Sequence, residues 1–103
     1  MIKIYLDDKR KFPEKELGYT SVRTYKECIL LLSIYKRVDV INLDYDLGTK
    51  ATGYDVLVYM KENNIIPKEI IVHSTHPFGV YDMEEYIKEN FKESNYIYAP
   101  AAY

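Results

Sequence analysis

Short β-rich runs alternate with longer stretches of helical spacing along this chain. Ile2 to Leu6 (IKIYL) places apolar side chains at every second position and predicts a strand. The polar, proline-containing segment 7–17 reads as a loop, and TSVRT (20–24) as a second short strand. Thr24 and Glu27 stand at capping-box spacing ahead of CILLLSIY, so a helix is predicted from about Tyr25 to near Arg37. VDVINL (38–43) predicts a third strand and DYDLGTKATG (44–53) a loop. YDVLVYMKENN (54–64) predicts a helix with Val56, Leu57 and Met60 inward and a fraying KENN end. EIIVH (69–73) is a fourth strand and STHPFG (74–79) a loop. VYDMEEYIKENF (80–91) is a helix with Met83, Ile87 and Phe91 along one side, and NYIYA (95–99) is a last strand.

Strands alternating with helices predict an α/β fold with an open, mostly parallel sheet. Such sheets bind ligands beyond the carboxyl ends of their strands, where the strand order reverses. Asp7 and Asp8 end the first predicted strand, Asp44 the third, and His73 and Ser74 the fourth. These groups are therefore expected to converge on one crevice.

Length and composition narrow the classes. At 103 residues the chain is expected to be one domain, 1–103. A chain of this size buries roughly two-thirds of its unfolded surface, enough for one core. An apolar content of 48% argues against disorder. A net charge of -2 gives no basic footprint for DNA and no polybasic membrane patch. No apolar run nears the ~20 residues of a membrane span, and no signal peptide opens the chain. The single Cys28 excludes an internal disulfide and fits a reducing, cytoplasmic setting. Within KECILLL it reads as a small core hydrophobe. Twelve tyrosines with no tryptophan suit half-buried surfaces and interfaces, and are equally compatible with compositional drift.

The candidate chemistry starts from repulsion. Asp7, Asp8 and Asp44 on adjacent strand ends destabilise one another unless a cation or a proton sits between them. All-oxygen ligands suit a hard cation, Mg²⁺ or Mn²⁺. The plainer alternative makes them strand-end and cap residues in water. Arg10, one of three arginines, has the fork to clamp a phosphate, or else pairs with an aspartate in its loop. Arg23 reads as structural. His73 titrates near neutrality and can move a proton, while a histidine after IIV also fits a buried, hydrogen-bonded imidazole. Ser74 and Thr75 are placed to hold a phosphate oxygen. His76 reads as a loop residue. Gly48 and Gly53 bracket TKAT, either letting backbone approach a phosphate or serving as turn glycines. No P-loop or dinucleotide fingerprint is present.

The acidic pair, the aspartate after strand three and the hydroxyl after strand four resemble the bacterial receiver domain. That resemblance implies a five-stranded sheet of order 2-1-3-4-5, with Asp7 and Asp8 binding metal, Asp44 accepting phosphate and Ser74 as the hydroxyl. Two departures stand out. YIYAPA keeps Pro100 but puts Ala99 where a receiver has lysine, and only a short loop separates LDD from GYTSV. The motifs LDDKR…P, VRT, LDYDLG, TGYDV and HSTHPFG…M are, in order, similar to the receiver-like family named for cyclic-phosphate processing. That family usually has Asn where this chain has His76. The resemblance implies a site of Asp7, Asp8, Arg10, Asp44, Asp46, His73 and Ser74.

The expected fold is thus receiver- or flavodoxin-like, with the first and fifth helices missing or minimal. One sheet face is then left without helices. Lys3, Tyr5, Asn42, Tyr96 and Tyr98 suggest a polar-aromatic surface there, solvated, lidded by the loop 9–18, or serving as a homodimer interface. The functional expectation is a metal-assisted phosphoesterase acting on a cyclic phosphate of an RNA end or a nucleotide. Asp44, with Asp7 and Asp8, holds the metal, Arg10 neutralises the phosphate, and His73 is the acid or base. The alternatives are a truncated receiver phosphorylated on Asp44, and a non-catalytic module that binds a phosphorylated ligand or a partner.

Overall fold

Each of the five predicted strands forms, and each is four residues long: β1 (Lys3–Leu6), β2 (Tyr19–Val22), β3 (Val40–Leu43), β4 (Glu69–Val72) and β5 (Asn95–Tyr98). The computed structural model describes residues 2–10 and 18–100. Among them are three helices, α1 (Tyr25–Ile34), α2 (Gly53–Glu62) and α3 (Pro77–Asn90). The strands pair in parallel in the order β2-β1-β3-β4-β5, as the receiver resemblance implies.

Helix ends follow local chemistry. Thr24 Oγ1 accepts the Glu27 N–H at 3.0 Å, and Glu27 Oε1 accepts the Arg23 N–H at 3.1 Å, so the predicted cap starts α1. The helix stops at Ile34, short of the predicted Arg37. At α2, Thr52 N–H donates to Asp55 Oδ2 at 2.7 Å, a capping box that the sequence reading passed over. Asn64, at φ 57°, turns the chain out of α2, a conformation asparagine tolerates. Helix α3 begins at Pro77, three residues before the predicted Val80. The sequence pattern places Pro77 in the loop 74–79, yet proline is favoured in the first helical turn, where its missing N–H costs nothing.

All three crossovers that carry helices run the same way across the sheet, so right-handed connections put the helices on one face. There Ile4, Leu6, Ile41, Leu43, Ile70 and Val72 meet Cys28, Leu32, Val56, Leu57, Met60, Met83 and Ile87, all buried. Each Val, Leu, Ile or Met among them contributes about 1.5–3 kcal/mol relative to exposure. Cys28 is fully buried, and burial pushes its thiol up to about 12, which makes it an inert core group.

The opposite face departs from expectation. Register aligns Ile70 with Tyr96 and Val72 with Tyr98, so both tyrosines lie on the helix side. Tyr96 there donates to Glu84 of α3 at 2.6 Å. Ile97, not the tyrosines, shares the other face with Ile71, Asn42 and Tyr5. Nor is that face bare: Tyr5 is 0% and Asn42 2% exposed, while Ile97 at the β5 edge is 44% exposed. The expected lid, loop 9–18, lies largely outside the described residues.

Candidate functional site

Strand register builds the site. Leu6, Leu43 and Val72 are aligned across β1, β3 and β4. One residue further on, Asp44 N–H donates to Leu6 O and His73 N–H to Leu43 O, each at 3.0 Å, and Asp7 N–H to Val22 O at 3.1 Å. Asp7, Asp44 and His73 therefore hang side by side from three neighbouring strand ends. One ligand atom from each of the three lies within 4.8 Å of the others.

Asp7 is 2% exposed and densely bonded. Its Oδ1 accepts the N–H groups of Lys9 and Arg10, both at 2.8 Å. Its Oδ2 meets His73 Nε2 at 2.9 Å, Arg10 Nε at 3.2 Å and Tyr5 Oη at 3.5 Å. Burial alone would raise this carboxyl, but the loop N–H donors and His73 outweigh it and hold it below the usual range.

His73 is 0% exposed. Its ring stacks on Tyr5 at 4.7 Å and 9°. Nδ1 lies 2.6 Å from Asn42 Oδ1, and Nε2 faces Asp7. An imidazolium would donate to both oxygens, but burial lowers the imidazole pKa more than Asp7 raises it. A neutral ring with its proton on Nε2 serves as well, once a half-turn of the Asn42 amide offers nitrogen to Nδ1. His73 thus stands behind Asp7 rather than looking into the cleft, contrary to the expectation of an accessible acid or base. The plainer reading of this histidine, a buried hydrogen-bonded imidazole, describes its place.

The cleft itself has a volume of about 380 Å³. Asp7, Asp8, Asp44 and Asp46 line it together with Lys9, Arg10 and Gly48, and Ser74, Thr75 and His76 close the other side. Asp44 is partly buried; burial first and the charge of Asp7 second raise its pKa, and hydrogen bonds from Ser74 and the Tyr45 N–H offset part of that. Asp8 shares the cleft but not the three-residue cluster. Arg10 pairs with Asp7 through Nε, the second of the readings given to it, while donating from Nη2 to His73 O at 3.3 Å and lining the cleft. Arg23, exposed, donates to the Asp8 carbonyl at 3.5 Å, a structural role.

Two glycines set distances here. Gly48, at φ +70°, donates its N–H to Asp46 Oδ1 at 2.9 Å, and a Cβ on it would lie 3.0 Å from Asp8 Oδ2. Gly53 lets the start of α2 press on the Asp44 carbonyl, where a Cβ would overlap backbone.

His76 is the residue that sequence reasoning undervalued. It caps α3, its Nδ1 accepting the Gly79 N–H at 3.0 Å. That bond leaves the ring proton on Nε2, and the side chain lines the cleft. The signal was present as His-Pro at a helix start, with histidine taking the cap position that asparagine often fills.

A family model described as the cyclic-phosphate processing receiver domain matches residues 2–89. The chain belongs to that family. Comparisons with curated proteins and with solved structures gave no significant match. For this family member the receiver-like architecture and the acidic strand ends are both in place. Asp7, Asp44 and His73 are close enough to hold a metal. The donor set fits one: burial first and the charge of Asp7 second raise the pKa of Asp44, and a cation between the two carboxylates relieves both. With His73 bonded to Asp7, the ligand atoms left to face the cleft are carboxylate oxygens.

Proposed function

We propose that this protein is a metal-assisted phosphoesterase that opens a cyclic phosphate. The observation supporting it is the cleft, which joins a crowded carboxylate pair with a guanidinium, hydroxyls and a histidine N–H. Asp7 and Asp44, with Asp8 beside them, would hold a divalent cation. When bound, the cation supplies positive charge against the phosphate and acidifies water.

The chain's own groups do the rest. Arg10, anchored by Asp7, neutralises a phosphate oxygen while Ser74 and Thr75 orient the others. Water oxygen attacks phosphorus, and one ring P–O bond breaks. His76 Nε2–H donates a hydrogen bond to the leaving oxygen, which takes its proton from solvent, and Asp46, exposed on the cleft wall, takes the proton of the attacking water and returns it to solvent. His73 acts through Asp7, fixing its orientation as a partner behind a ligand. Incubation with 2′,3′-cyclic nucleotides and divalent metal tests this. Ring-opened product is expected, and no turnover by folded protein across the panel contradicts it.

One observation favours a second reading, phosphorylation of Asp44: its carboxylate reaches the cleft and is hydrogen-bonded by Ser74. Against it, Ala99 offers no ammonium to read a phosphoryl group. A mass gain at Asp44 with a small phosphodonor would favour it.

A further inference from the structure

A second hollow of about 550 Å³ lies on the other side of Tyr45 from the phosphate cleft. Tyr45 lines it, whereas the flanking Asp44 and Asp46 line the cleft. The Tyr45 ring also meets the ring of His76, a cleft residue, at 4.8 Å and 41°. One aromatic ring therefore separates the two hollows. Gly79 fixes that partition, since a Cβ there would overlap the Tyr45 ring.

The second hollow differs in chemistry from the first. Tyr54 and Tyr86, 5.1 Å apart, give it two further aromatic rings. Helix α3 contributes Asp82, Glu85, Tyr86 and Glu89, which the spacing i, i+3, i+4, i+7 aligns on one face, beside the core positions Met83 and Ile87, and with Asp55 its carboxylates outnumber the single cation, Lys50. Its volume falls in the range of small-ligand sites, about 300–1,000 Å³. Excess negative charge disfavours a second phosphate. Aromatic walls suit a flat ring, and carboxylates accept hydrogen bonds from N–H groups on its edge.

We infer that this hollow is a nucleobase subsite, so that the substrate is a nucleoside cyclic phosphate or an RNA end whose terminal base lies beyond Tyr45. The inference rests on the proposed phosphate site and adds base selection to it. Carboxylates at Asp82 and Glu89 favour bases with adjacent donors. Guanine presents N1–H and the N2 amino group side by side, whereas uracil presents one N–H between two carbonyl oxygens. Guanosine 2′,3′-cyclic phosphate should therefore bind about tenfold tighter than the uridine compound, the ratio one good bidentate pair gives.

Backbone amide spectra of the ¹⁵N-labelled protein test this with three probes in the presence of Mg²⁺: inorganic phosphate and the 3′-monophosphates of guanosine and uridine, which the proposed ring opening leaves unchanged and which should show the same base preference. Phosphate should shift the amides of Gly48 and Ser74 to His76 alone. The nucleotides should shift these and also Tyr54, Asp82 and Tyr86. Asp82→Ala, at an exposed position, should bring the guanosine-to-uridine ratio close to unity and leave phosphate affinity unchanged. Shifts in the cleft with none around Tyr86, or equal affinity for both nucleotides, would overturn the inference and leave the phosphate site standing. Absence of phosphate shifts in the cleft would overturn both. Displacement of the nucleotide from the second hollow by tetramethylammonium, with no base preference, would mark it instead as a cation cage.

Discussion

Nε2 of His73 lies 2.9 Å from Oδ2 of Asp7, and both side chains are buried. The pair couples the strand-four end to the strand-one end beneath the cleft. Removing His73 leaves Asp7 with a lost donor and opens a void against Tyr5. His73→Ala should cost about 3 kcal/mol or more in urea denaturation. His73→Gln, which keeps a donor toward Asp7, should lose less. Both should weaken divalent-cation binding about 10–100-fold, the usual effect of removing a partner behind a ligand.

The same pair sets a pH response. Burial depresses the folded-state pKa of His73 below 6.5, so its contribution is complete above that value and is lost as pH falls through it. Asp7, held below 3.8, adds a loss of the same sign only at more acidic pH. Asp44, raised above 3.8, opposes both, because its protonated form favours the fold. Stability without metal should therefore decline from about pH 6.5 downward. His73→Gln should flatten that slope, and Asp44→Asn should steepen it. Urea midpoints across pH check the order.

Asp44→Asn removes a carboxylate that burial and Asp7 both disfavour as an anion. In chelator the variant should be more stable than the parent by up to about 1 kcal/mol, allowing for solvent screening of a half-exposed group. Millimolar Mg²⁺ or Mn²⁺ should raise the melting temperature of the parent and leave that of the variant nearly unchanged. Equal responses would place the ion elsewhere.

Gly53 and Gly79 should respond differently to alanine. At Gly53 the new Cβ meets the Asp44 backbone, which has no rotamer to escape into, so a loss of about 2–3 kcal/mol is expected together with weaker cation binding. At Gly79 it meets the Tyr45 ring, a side chain that can yield. Gly79→Ala should cost less stability and should still disturb the Tyr45–His76 contact. Calorimetry with tyrosine side-chain NMR separates the two.

The strand-and-helix order was legible because periodicity and apolar runs survive in local sequence, as Val56, Leu57 and Met60 show by facing the core. The acidic strand ends were legible for the same reason: each follows an apolar run. What sequence could not show was depth. Asp7, Asp8 and His73 look equivalent in a string, but register and burial separate them: Asp7 sits between His73 and Arg10, and Asp8 on the open wall. The alternation of YIY was visible, yet its phase depended on pairing with β4, and a one-residue shift reverses a face. His76 was masked by the proline after it, which reads as a loop until its place in the first turn of α3 is known.

The most direct test is a crystal structure with Mn²⁺ and phosphate, read at the manganese absorption edge. The proposed centre predicts one anomalous peak within direct ligating distance, about 2.0–2.6 Å across hard cations, of carboxylate oxygens of Asp44 and Asp7, with phosphate between that peak and Arg10. A peak away from these two residues, or phosphate bound without contact to Arg10, would contradict it.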